Sequence, residues 1–209
     1  MSERRALFQP ALAEVSWLSP VNPYRPPHGV ASEDLAEYCA AELEAEILRC
    51  GPDFVCAFIM EPIVGSAGGA IVPPEGYGER VREICTKYGV LLIADEIVCG
   101  CGRTGTWRAS EQMGFVPDIM SIAKGLAAGV IPLAAAVYSD EVFEVIRAKY
   151  GAVATGHTFT GHTAACAAGL ATQQVIARDG LISKINTHLG PYLFERLHAA
   201  IGHLSCESA

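Results

Sequence analysis

Short, largely apolar runs alternate with longer amphipathic stretches along the chain. Phe54–Met60, Val90–Ala94, Ile119–Ala123 and Leu133–Tyr138 have the length of strands. Runs with no clear polar alternation suit strands of a parallel sheet that is covered on both faces. The stretches between them keep helical time. Over 32–49, Ser32 is a candidate cap, Glu33 and Asp34 suit a first turn, and Leu35, Tyr38, Leu43 and Ile47 mark an apolar face. Gly51-Pro52 stops that helix. A second is expected over 76–89, closed by Gly89, and others at Glu141–Lys149, 163–179 and 181–202. The pattern predicts an α/β fold: a mostly parallel sheet with helices on both faces.

The Pro-rich stretch 18–30 breaks the rhythm, with four prolines, and reads as irregular or extended. The organisation expected is an irregular lead-in over 1–30, one domain over 31–203 and a tail over 204–209. For 209 residues an apolar fraction of 51% is high, which calls either for deep burial or for a face meant for a partner. A net charge of −8, with no Lys/Arg cluster, argues against nucleic acid as a partner. The longest apolar stretch, Gly125–Tyr138, is about 14 residues and is broken by Gly129 and Pro132, too short to span a bilayer. No apolar signal core follows the first five residues. The eight scattered cysteines therefore read as reduced thiols of a cytoplasmic protein. Cys99-x-Cys101 has no second pair at zinc spacing, so it reads as two small buried hydrophobes.

"LLIADEIVCGCGRTG", residues 91–105, offers two kinds of chemistry. Gly100, Gly102 and Gly105 spell the dinucleotide fingerprint, but five residues separate the strand from the first glycine, and no helical rhythm opens at the glycines. The acids Asp95 and Glu96 are the stronger signal. Glu61, Asp95 and Lys124 all fall at the ends of expected strands, which is where open parallel sheets bind ligands. Charges beside buried strands are paired with each other or serve chemistry. An Asp95–Lys124 salt bridge and a reactive site are both open at this point.

Lys124 lies among small residues in "SIAKGLAAG", with room beside its amine for a bulky group, and lysine is the side chain that forms Schiff bases. A pyridoxal 5′-phosphate site pairs such a lysine with an acid for the ring nitrogen, a part Asp95 can take. Hydroxyls ahead of a helix, as in "HTFTGHT" at 157–163, suit a phosphate anchor through Thr158, Thr160 and Gly161.

Together with "FIMEPIVGSAGG", "PDIMSIAKGL", "IPLAAAV" and "HTFTGHTAACAAGLA", in this order and spacing, the chain resembles class III aminotransferases of fold type I. The resemblance implies roles. Lys124 would carry the Schiff base and shuttle a proton at the substrate's alpha carbon. Asp95 would pair with the pyridine nitrogen, Ile97 would pack on the ring, and Val98 would stand where several members carry a glutamine that donates to the ring oxygen. Glu61 would help order the site near Asp95. Thr158 would reach the cofactor phosphate of a neighbouring subunit, which implies a homodimer with shared sites. Arg103 would order its loop, and His157 and His162 would be structural.

Val98 removes the glutamine donor, Ser66 stands where ornithine- and aminobutyrate-type members carry glutamate, and Thr163 replaces a usual proline. The motif "DEIVCGCGRTG" is similar to the omega-amino-acid and amine:pyruvate branch. The expected activity is thus transfer of an amino group from an amine or omega-amino acid to a keto acid such as pyruvate. Decarboxylase, aminomutase and racemase members would use the same Lys124 and Asp95. The family's chains are longer, so this chain corresponds to the central part of the large domain. A catalytically incomplete homologue acting as a dimerisation module is the alternative.

Overall fold

The computed structural model describes residues 6–201. Residues 6–8 are helical and run into a 3-10 turn at Gln9–Ala11, after which the lead-in is irregular as far as residue 31. Helix α1 is Leu35–Cys50, strand β1 Ala57–Met60, helix α2 Tyr77–Tyr88, β2 Leu91–Asp95, β3 Ile119–Ile122 and β4 Ala135–Tyr138. Helices α3 (Asp140–Tyr150), α4 (Thr163–Arg178), α5 (Leu181–Lys184) and α6 (Gly190–Ile201) follow.

The sheet order is β1-β2-β3-β4; the first three strands run parallel and β4 returns antiparallel to β3. The fold is the expected α/β arrangement with a mostly parallel sheet. Its core joins Leu35, Leu43 and Ile47 of α1, Val81, Ile84 and Cys85 of α2, and Leu92 and Ala94 of β2. Burying each of these Leu or Ile side chains contributes roughly 1.5–3 kcal/mol. Side chains on alternate strand residues face opposite sides. Phe58 and Met60 therefore pack towards the core, while Ile59 on the opposite face is 60% exposed.

Four local expectations differ. Ser32 does not cap α1 through its side chain; it opens a 3-10 turn, Ser32–Asp34, that leads into the helix. Tyr38, expected on the apolar face, is 44% exposed, and Cys39 and Ala40 are buried beside it instead. Phe54 belongs to no strand. After Gly51 ends α1 at φ 89°, Pro52 fixes a 3-10 turn, Pro52–Phe54, which turns Phe54 out to 87% exposure. The helix expected over 181–202 is also interrupted, by a π-helical stretch at Ile185–Leu189. Elsewhere α2 ends on the left-handed Gly89, and α3 starts behind Ser139, whose hydroxyl accepts from Val142 N.

Candidate functional site

Because β1, β2 and β3 run parallel, their carboxyl ends share one edge of the sheet. Met60 pairs with Ala94, and Asp95 with Ser121. Glu61 follows the last residue of β1, Asp95 is the last of β2, and Lys124 lies two residues beyond β3. The fold thus brings all three charged residues expected from the sequence to one edge.

The neighbouring acids Asp95 and Glu96 have separate work. Glu96 is 1% exposed; its carboxylate accepts from Ala109 N (2.9 Å), Ser110 N (2.8 Å) and the Cys99 thiol (3.2 Å). Its carbonyl accepts from Gly100 N (2.9 Å), and a Cβ on Gly100 would meet that carbonyl oxygen at 2.7 Å, so the turn closes only around glycine. Glu96 therefore ties the loop after β2 to residues 109–110. Burial pushes the Cys99 thiol up to about 12, which keeps it protonated as a donor to Glu96. Asp95 remains half-buried. Its Oδ1 accepts from Ile97 N (3.1 Å), and its Oδ2 has no hydrogen-bond partner among the described residues.

The sequence motifs assign Glu96 no role of its own. Strand alternation was the signal that could have assigned it: Leu92 and Ala94 are buried, and residue 96 continues that face.

Lys124 is exposed and makes no hydrogen bond or ion pair with any described residue. No ion pair joins it to Asp95, so the two charges do not neutralise each other. Its φ is +46°, a left-handed conformation that costs a side-chain-bearing residue free energy and gathers at functional sites. It opens the 3-10 turn Lys124–Leu126, and Ala127 behind the turn is buried.

Glu61 accepts from Gly65 N through Oε2 (2.8 Å), closing the loop after β1. Val98 packs on that loop so tightly that a Cβ on Gly65 would lie 2.6 Å from Val98 Cγ1. Glu61, Gly65 and Val98 thereby form one wall beside the end of β2, and Ile97 sits half-buried between Asp95 and Val98. Arg103 Nε donates to Val98 O (2.7 Å), which orders the loop as expected of it.

Thr158 is exposed in the turn before α4, next to Phe159 at 78% exposure, and makes no hydrogen bond with Lys124 or Asp95 within the chain. The turn is held by Thr160, whose Oγ1 accepts from His157 N (3.0 Å), and His162 caps α4 by accepting from Ala165 N (3.3 Å).

These groups fit pyridoxal phosphate by donor chemistry. A protonated pyridine nitrogen needs a carboxylate oxygen with no other partner, which Asp95 Oδ2 provides. An aldehyde needs an amine that is not locked in an ion pair, which Lys124 provides.

The sequence matches the family model "Aminotransferase class-III" over residues 1–203. The chain is 46% identical over 175 residues to a diaminobutyrate–2-oxoglutarate transaminase of Halomonas elongata, a match covering 82% of this chain and 37% of that protein. It is 41% identical over 174 residues to a putrescine–pyruvate aminotransferase of Pseudomonas aeruginosa, with 83% and 38% covered. Among solved structures, a transaminase from directed evolution by ancestral reconstruction superposes with a TM-score of 0.85 at 37% identity, over 95% of this chain and 44% of that one. The chain thus spans less than half the length of these relatives.

Proposed function

Because the chain belongs to the class III aminotransferase family, whose enzymes depend on pyridoxal phosphate, we propose that its strand-end site anchors that cofactor for transamination. The amino group would pass from an amine or omega-amino acid to a keto acid such as pyruvate. The putrescine–pyruvate relative supports that pairing, and so does the likeness of the motif "DEIVCGCGRTG" to the amine:pyruvate branch. The observation that carries the reading is the pair formed by Asp95 and Lys124: neighbouring strand ends, opposite charges, and no ion pair between them.

Pyridoxal phosphate supplies an aldehyde that condenses with amines and a ring that takes up an electron pair from the substrate's alpha carbon. Asp95 Oδ2 would hold the proton on the ring nitrogen and so keep the ring electron-poor. Lys124 Nζ would anchor the group and would move a proton at that carbon. Ile97 would pack on the ring, while Glu61 and Glu96 fix the loops that present these side chains. Thr158, exposed here, would serve the phosphate site of a neighbouring copy in a homodimer. The exposed Phe159 and Leu170 on either side of the start of α4 support such a contact. Residues 31–203 would form the cofactor-binding domain. Seven described cysteines are free thiols, which supports a reducing, cytoplasmic setting.

The test is an absorption titration of the chain with pyridoxal phosphate. Wild type should develop a protein-bound band that sodium borohydride fixes covalently. Lys124→Ala should lose the fixed band, and Asp95→Asn should keep covalent fixation while shifting the band. A wild-type spectrum identical to free cofactor, in folded protein, overturns the reading.

A further inference from the structure

The left-handed turn at Lys124 needs something to hold it, because such a backbone persists only when its surroundings fix it. Cys101 supports one side, since a Cβ on Gly125 would lie 2.9 Å from the Cys101 Cβ. That side is not closed. A cleft of about 320 Å³, lined in part by Cys101, Gly125, Ile176 and Ile182, leaves the turn space to relax.

The other support is Gln173, on α4. Its Nε2 donates to Leu126 O (3.0 Å), the carbonyl that ends the Lys124 turn, and its Oε1 accepts from Trp107 Nε1 (2.9 Å). The amide orientation is not ambiguous: an indole N–H can only donate and a carbonyl can only accept, so one assignment satisfies both. Trp107 belongs to the loop after β2, and its own carbonyl accepts from Gly102 N (3.3 Å). One half-buried amide therefore spans 66 residues to the loop behind Asp95 and 47 residues to the turn that carries Lys124.

We propose that Gln173 is a positioning residue of this site, bracing the Lys124 turn against the Asp95 loop. The proposal rests on Lys124 being the cofactor-anchoring lysine, but the brace itself can be read without cofactor. Gln173→Leu removes both hydrogen bonds. Gln173→Glu keeps the acceptor for Trp107 and removes the donor to Leu126. Trp107→Phe releases only the far end.

The test is competitive amine acylation of the chain across pH, mapped by mass spectrometry, with Lys87, Lys149 and Lys184 as internal references. The rate of borohydride-fixable attachment of pyridoxal phosphate is measured alongside it, and melting temperature reports folding. Gln173→Leu and Gln173→Glu should alter the pH profile of Lys124 alone and slow attachment about tenfold, and Trp107→Phe should slow it about threefold, in keeping with the loss of one or two half-buried hydrogen bonds. The double variant Trp107→Phe/Gln173→Leu should be no worse than Gln173→Leu, because both act through one brace. A lower melting temperature with an unchanged Lys124 profile and an attachment rate within about twofold of wild type would make Gln173 an ordinary packing residue and overturn the proposal. If wild type attaches no cofactor while the variants still change the Lys124 profile, the brace stands and the cofactor reading falls. Where Gln173→Leu does not fold, Gln173→Glu and Trp107→Phe decide by the same criteria.

Discussion

Helices α1 and α4 are both 16 residues long, yet they are held to the molecule by different physics. Helix α1 buries Leu35, Cys39, Ala40, Leu43 and Ile47 against α2 and β2. Helix α4 buries only Ala165 and Gly169, while Leu170 is 61% exposed. What attaches α4 is local and specific: Gly169 lies against Leu133, and Gln173 reaches Trp107 and Leu126. The first region is packed into the apolar core. The second positions a site while leaving its outward apolar residues without a covering layer among the described residues, which is where the proposed second copy would find its contact area.

The comparison is broken most sharply by large-to-small substitution. Leu43→Ala should cost about 2–5 kcal/mol in urea unfolding, whereas Leu170→Ala should stay within about 0.5 kcal/mol. Equal losses would remove the distinction. Glycines sharpen it further. A Cβ on Gly78 in α2 would meet the Met113 backbone oxygen at 2.5 Å, so Gly78→Ala should cost about 1–3 kcal/mol. At Gly169 the one close approach of a Cβ would be to the far end of Leu133, at 2.6 Å, with Leu126 O at an ordinary 3.8 Å, and alanine's better helix propensity offsets the adjustment. Gly169→Ala should therefore change stability by less than about 1 kcal/mol in the same assay.

Thiols report the same contrast at alkaline pH. Burial raises Cys85 from 9.0 to about 11 and Cys99 from 9.0 to about 12. For both, the neutral form belongs to the folded state. Their contribution to stability is complete below pH 9.0 and is lost as the pH rises through that interval. Iodoacetamide at pH 8 should label the exposed Cys56 and Cys166 and spare Cys85 and Cys99. Labelling of all four at one rate would mean that the core is open. The smallest effect lies on the acid side. Hydrogen bonds from Arg49, then Ser16, hold the Glu46 carboxyl down at about 2, against an ordinary 4.5. Glu37 and Glu44 are lowered by hydrogen bonds from Arg80 and from Lys87. Stability from these groups is present above pH 4.5 and fades as the pH falls towards 2. All three sit on α1, whereas α4 has one such group at its C-cap, Asp179, lowered by its hydrogen bond from Arg178; acid should therefore loosen α1 slightly and α4 only at its C-terminal end, as followed by amide exchange.

Much of this was legible from residues. The strand-end charges were found because apolar runs and their polar ends mark the carboxyl edge of a parallel sheet, and Gly89 marked a helix end because only glycine takes its conformation without cost. Phe54 misled because an apolar residue next to a strand reads like part of it, and only the turn fixed by Pro52 shows otherwise. The stretch 181–202, expected as one helix, is interrupted by π-helical Ile185–Leu189. Pro191 explains this: it lacks an N–H, and its ring crowds the carbonyl four residues back, at Thr187, so the ladder shifts register. Residue 202 and the expected tail, 204–209, lie outside the described residues. The role of Gln173 was not legible, because both its partners are more than 40 residues away and no local pattern announces such a link.

The most direct test of the central claim is to fix the cofactor with borohydride, digest the chain and map the modified lysine among Lys87, Lys124, Lys149 and Lys184. The account predicts modification at Lys124, near one per chain, abolished by Lys124→Ala. Cofactor spread over all four lysines in proportion to their exposure would contradict it.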